Sequence, residues 1–204
     1  MINRCTAATV ALLLLVMATD DAGASTSYTL IGKNAISVTE STVKCKNGKS
    51  TPVTVQVTGD LYADSDKRTD FKGTKWANRM AEMDREADDE RGHVVASVFG
   101  GPIEQWNMVP MHRSVNRRIT AQSSLLNRWD EFEKWSRDQV KKGNVPVRFT
   151  IRIRYGPLNG CRPIGFDISA TAKGTSGFQG SFDNGPYGSF AVSSQPSRPK
   201  KKKP

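Results

Sequence analysis

The chain has 204 residues, 37% of them hydrophobic, and carries 30 Lys and Arg against 20 Asp and Glu, a formal net charge of +10. This length fits one domain with a core of roughly 150 residues and loose ends, and the absence of a Cys-x-x-Cys pair, with His93 and His112 as the only histidines, argues against a zinc site. The positive balance favours polyanions, but it does not choose between nucleic acid, anionic lipid and acidic polysaccharide, because the attraction is Coulombic and released counterions drive it in every case.

In chain order, Arg4 precedes an uncharged run from Thr6 to Thr19, and the small residues Ala22, Gly23 and Ala24 follow it. This is the pattern of a secretory signal peptide. Its apolar part, about twelve residues, is too short for a hydrocarbon core that needs ~20, so residues 1–24 are expected to be cleaved and no membrane anchor is expected. The product would be secreted or periplasmic. Cleavage removes Arg4, Asp20 and Asp21 and leaves a net charge of +11. Of the three cysteines, Cys45 and Cys161 remain, and in an oxidising compartment they form one bridge unless they stay as two buried thiols.

Residues 28–38 and 53–58 are rich in β-branched and apolar residues and flank the turn-prone Lys46-Asn47-Gly48-Lys49, so they are expected to open the domain as an antiparallel pair. Residues 63–90 carry mixed charge and a dense acidic patch from Glu86 to Glu90, which reads as a solvated loop with a short helix. From Gln122 to Lys142 the apolar residues Leu125, Trp129, Phe132 and Val140 recur at helical spacings, and Gly143 supplies the stop. Val147 to Tyr155 alternates strictly between apolar and polar residues, which predicts a strand presenting Arg148, Arg152 and Arg154 on one face. Ile164 to Ala170 is expected to return beside it. The domain is expected to span residues 25–174; residues 175–204, rich in Gly, Ser and Pro and closing on Lys200 to Lys203, are expected to form a flexible tail without fixed fold.

The chemistry concentrates between residues 91 and 117, where Arg91-Gly92-His93, Asn107-Met-Val-Pro110 and Asn116-Arg117 follow one another at set spacings. The pattern resembles the signature of the DNA/RNA non-specific endonucleases of the ββα-metal superfamily, in particular their bacterial secreted and toxin-associated branch. It extends over roughly residues 50–172. The resemblance implies an α+β fold, an antiparallel sheet with a ββα-metal motif and one long amphipathic helix. It also implies hydrolysis of DNA and RNA with Mg2+, or Mn2+ in its place.

The residue types suit that reaction. His93, with an ordinary pKa near ~6.5, is a base for the attacking water at neutral pH. Asn116 holds the position of the family's metal-binding asparagine, and Mg2+ accepts a single amide oxygen beside retained waters. Asn107 is assigned to supporting the site, and Arg91 and Arg117 to charge on the phosphate. A carboxylate on the long helix completes such sites. Helical geometry selects Glu133 over Glu131, because Glu133 follows Trp129 by one turn and borders the buried face. The longer spacing from Asn116 implies an insertion around Ile119 to Ser124.

Met111 stands where the family mostly carries glutamine, which bears on efficiency or substrate detail, and the neighbouring His112 is a candidate phosphate contact. No helix-turn-helix, zinc finger or aromatic platform is present to read base sequence. The contrasting function is a catalytically weak or inactive nuclease-like module that binds extracellular nucleic acid or another polyanion. A toxin with an acidic inhibitor protein as partner would share the nuclease chemistry.

Overall fold

The computed structural model describes residues 24–65, 82–117 and 128–186. The expected signal peptide, most of the charged loop, the first turns of the expected helix and the lysine run therefore lie outside the described residues. A six-stranded sheet in the order β1-β2-β3-β6-β7-β8 forms the body. Its strands are Ser25–Thr29 (β1), Ala35–Lys44 (β2), Ser50–Leu61 (β3), Val147–Tyr155 (β6), Pro163–Thr171 (β7) and Phe178–Asp183 (β8), all paired antiparallel. Asp89–His93 (β4) and Met108–His112 (β5) form a separate two-stranded ribbon. A single helical turn, Arg113–Asn116 (α1), follows β5 directly, and the long helix Arg128–Lys141 (α2) precedes β6. The architecture is the mostly antiparallel α+β fold anticipated above.

The alternation of β6 explains why one face of the sheet is covered. Val147, Phe149, Ile151 and Ile153 all point inward and join Val57 and Leu61 of β3, Phe166 and Ile168 of β7, and Phe178 and Phe182 of β8 in one core. Burying such side chains stabilises by roughly 1.5–3 kcal/mol each. Helix α2 closes this face: Trp129 meets Phe166 and Phe182 edge-on, and Phe132, one turn later, packs on Phe149 and Phe178. Trp106, Val109 and Met111 of the β4–β5 region join the same core. Arg148, Arg152 and Arg154 lie on the opposite face, where they engage Asp60, Gln56, and Asp167 with Asp183 respectively.

Two expectations are corrected. The apolar stretch 28–38 is not one strand. Gly32 (φ 57°) and Lys33 (φ 68°) turn the chain between β1 and β2, and the fully buried Asn34 fixes that turn by bonding Ala63 O, Phe99 O, Tyr62 N and Ala63 N. The segment after Gly174 is likewise not without structure as far as residue 186. Phe178, Gly180 and Phe182 face the core and place β8 at the sheet edge, although the surrounding Gly and Ser suggested otherwise.

Cys45, after β2, and Cys161, in the β6–β7 connection, form a disulfide across 116 residues. Asp84 seats against it, accepting from Lys46 N (2.8 Å) and Cys161 N (2.9 Å). These three side chains form the only cluster of potential His, Cys, Asp or Glu metal ligands among the described residues, but sulfurs joined to each other are not thiolate ligands. Replacing both cysteines with alanine is expected to lower unfolding free energy by about 4 kcal/mol through the loop closure lost. Urea denaturation monitored by tryptophan fluorescence measures this, and a difference under ~1 kcal/mol contradicts it.

Candidate active site

A two-stranded ribbon is marginal by itself, so the position of β4 and β5 depends on what holds them. Arg162, next to the disulfide, grips Asp89 at the start of β4 with Nε to Oδ2 at 2.6 Å and Nη2 to Oδ1 at 2.7 Å. Both side chains are almost wholly buried. Asp89 also accepts from Glu86 N, so the acidic patch from Glu86 to Glu90 is not simply a solvated run. Gly92 lets the ribbon close: a Cβ there would stand 2.6 Å from the Cβ of Met111. Met111 itself is fully buried in the core.

Glu90 is the residue that sequence reasoning missed. Its Oε2 accepts from Asn116 Nδ2 (2.9 Å) and Arg117 Nε (2.8 Å), and Oε1 pairs with Arg117 Nη2. A carboxylate accepts only, so the amide nitrogen of Asn116 must face it and the carbonyl oxygen Oδ1 must point away. Burial raises the Glu90 pKa, but the hydrogen bonds from Arg117 and Asn116 and the charges of Arg117 and Arg113 outweigh it, and the carboxyl is held below its usual value. Arg117 is thereby engaged with Glu90 instead of presenting its full fork to a phosphate. Arg91, on β4, is exposed. The position of Glu90, three residues before His93 in Glu-Arg-Gly-His, was the available signal.

His93 ends β4. Desolvation by burial lowers its pKa from 6.5 to about 4, so the imidazole is neutral throughout the neutral range. The loop that follows is locked by Asn107, itself fully buried. Its Oδ1 accepts from Val95 N (2.6 Å), while Nδ2 donates to Val95 O and Pro102 O (both 2.9 Å). Close packing at Gly101, where a Cβ would meet Val95 O at 1.8 Å, belongs to the same loop and accounts for the Gly-Gly-Pro run.

Glu133 lies on the inner side of α2, where it accepts from Trp129 Nε1 (3.0 Å). With Val94, Val95 and Ala96, directly after His93, and the apolar side chains of Leu61, Phe99, Phe132, Phe149 and Ile151, it lines a cavity of ≈ 10 Å³ in the core. The structure thus brings Glu90, Asn116 and Arg117 into direct contact, and Glu133 beside the residues that follow His93. His112 is not a phosphate contact. It is buried, its Nδ1 caps α1 by accepting from Ser114 N, and it lies within 2.6 Å of the Ser114 hydroxyl.

Residues 38–174 match the family model described as DNA/RNA non-specific endonuclease. The chain belongs to the DNA/RNA non-specific endonuclease family. Among solved structures it is similar to NucA from Streptococcus agalactiae with no metal bound, at TM-score 0.52 and 11% identity over 80% of this chain and 76% of that one. It is also similar to the same nuclease with magnesium ion bound, at TM-score 0.51 and 11% identity over 81% and 85%. At such identity the likeness speaks for the fold. With its nitrogen held by Glu90, Asn116 has its amide oxygen turned away from that carboxylate, and such an oxygen is a hard donor of the kind divalent ions of the Mg2+ type accept.

The His93 shift has a consequence for stability. Its folded pKa lies below the unfolded one, so the unfolded chain binds more protons between about pH 4 and 6.5. The contribution of neutral His93 is therefore complete above pH 6.5 and declines as pH falls toward 4, by roughly 2–3 kcal/mol. His93→Gln should remove most of that slope, as measured by urea unfolding at pH 7 and pH 4.5. Identical slopes in both proteins would contradict the burial of the ring.

Proposed function

We propose that the chain is an exported endonuclease that hydrolyses the phosphodiester bonds of DNA and RNA without sequence preference, with His93 as general base and Asn116 as protein ligand of a single Mg2+-type ion. The observation that carries this reading is the hydrogen bond from Asn116 Nδ2 to Glu90. It turns the amide oxygen away from Glu90 on the same ββα unit that ends β4 in a half-buried imidazole whose pKa is lowered to about 4. Simple nucleic-acid binding needs neither feature.

The ion, when bound, supplies positive charge to the phosphate and the leaving oxygen. The remaining steps belong to the chain. His93 accepts a proton from the attacking water as the new P–O bond forms; the bond from phosphorus to the leaving sugar oxygen then breaks, and that oxygen takes a proton from solvent. Arg91, exposed on β4, offers a guanidinium to the non-bridging oxygens. Glu90, Arg117 and Asn107 hold positions, and Glu133 would hold the ion's waters. Backbone-directed charge and a net +10 give attraction to either nucleic acid. The signal-peptide pattern at residues 1–24 and the disulfide both suit a secreted or periplasmic protein.

Plasmid DNA and ribosomal RNA incubated with the purified mature protein should both be degraded with Mg2+ and survive with chelator. His93→Ala should lower the rate at least ~10²-fold at saturating Mg2+, and Asn116→Ala should shift the Mg2+ requirement upward by about tenfold or more. Nucleic acid retarded but uncut in every lane would replace the nuclease reading with that of a binding module.

A further inference from the structure

Helix α1 is a single turn, too short to hold its place by helix propensity. Glu90 holds its carboxyl end through Asn116 and Arg117. Its amino end is held from another part of the chain, the segment just after β8. Asn184 is 3% exposed. Its Oδ1 accepts from His112 N at 2.7 Å, and its Nδ2 donates to Pro110 O at 2.9 Å and Pro163 O at 3.0 Å. Its backbone N donates to Ile164 O at 2.8 Å. One residue further on, Gly185 O accepts from the Ser114 hydroxyl at 2.9 Å, inside α1 itself.

We infer that Asn184 is a positioning residue for the metal site: with Gly185 it buckles β5 and the start of α1 to the main sheet, and so sets where the Asn116 amide oxygen stands. Asn184 joins two strands that are not neighbours in either sheet, β5 and β7, using all three of its side-chain bonds on backbone groups. Losing the amide would take the Asn184 bond from buried His112 N and Pro110 O and leave Pro163 O only the longer one from Arg162 Nη1, a loss that a structure offsets by moving. Displacement of β5 carries α1 with it, because no residue separates Met108–His112 from Arg113–Asn116. Residues 184–185 lie beyond the 38–174 span matched by the family model.

The inference rests on the reading of Asn116 as the ion's ligand. The test compares the full mature protein with Asn184→Ala and Ser114→Ala, and includes Phe178→Leu, at the far end of β8, as a control of comparable melting temperature. Mn2+ affinity is measured by electron paramagnetic resonance without substrate, and hydrogen exchange of residues 113–117 is followed in parallel. Asn184→Ala should weaken Mn2+ binding about tenfold and accelerate exchange in α1, with Ser114→Ala changing both in the same direction and Phe178→Leu neither. Unchanged affinity and exchange in a folded Asn184→Ala protein overturn the inference. If Asn184→Ala does not fold, Ser114→Ala decides alone, since it removes only the Gly185 bond and the contact with His112. Mn2+ affinity equal in Asn116→Ala and wild type would instead overturn the underlying assignment of the ligand, a distinct outcome.

Discussion

The buried ion pair between Arg162 and Asp89 is the constraint on which the site depends. The β4–β5 ribbon carries Glu90, His93 and, through α1, Asn116, yet it shares no strand pairing with the six-stranded sheet. Removing one partner of such a pair leaves an uncompensated buried charge at a cost of roughly 3–5 kcal/mol, so the ribbon cannot drift from β7 without losing more than its own pairing provides. The disulfide next to Arg162 and the carboxylate of Asp84 fix the loop from which the arginine extends. Rigidity is thus concentrated where β4 begins, four residues ahead of His93.

From that anchor the site is built outward by side chains that bond to backbone or to one another. Asn107 locks the loop after His93, Glu90 orients Asn116, and Asn184 ties β5 to β7. The charges are segregated accordingly. Asp89 and Arg162 neutralise each other inside the protein, Glu90 and Arg117 do so at the rim, and the arginines of β6 serve the opposite face of the sheet. The groups gathered on this ribbon and the turn after it are thus the His93 imidazole, the oriented Asn116 amide and the guanidinium groups of Arg91 and Arg117.

Much of this was legible in the sequence wherever the signal is local. Val147 to Tyr155 forms a strand with the bounds its alternation gives, and Glu133, rather than Glu131, borders the core beside residues 94–96 because helical periodicity places it there. Pairings across long separations were not legible. Asp89 and Arg162 stand 73 residues apart, and Asn184 and His112 72 apart; nothing in either neighbourhood marks its partner, and Asp89 looked like one more charge in an exposed acidic run. The strand β8 was hidden for a compositional reason, since its small residues Gly180 and Ser181 are those of a flexible tail until the sheet gives Phe178 and Phe182 a surface to cover. His112 illustrates the reverse error: a histidine beside a functional motif, taken for a surface contact, whose ring is consumed in capping one turn of helix.

The most direct measurement of the central claim, that Glu90 orients Asn116 to present its oxygen to a divalent ion, is anomalous diffraction from crystals of the protein soaked in Mn2+. The account predicts one ion at direct-ligand distance, roughly 2.0–2.3 Å, from Asn116 Oδ1, with Nδ2 still on Glu90. An ion bound to the Glu90 carboxylate in place of the amide, or seated away from α1, would contradict it.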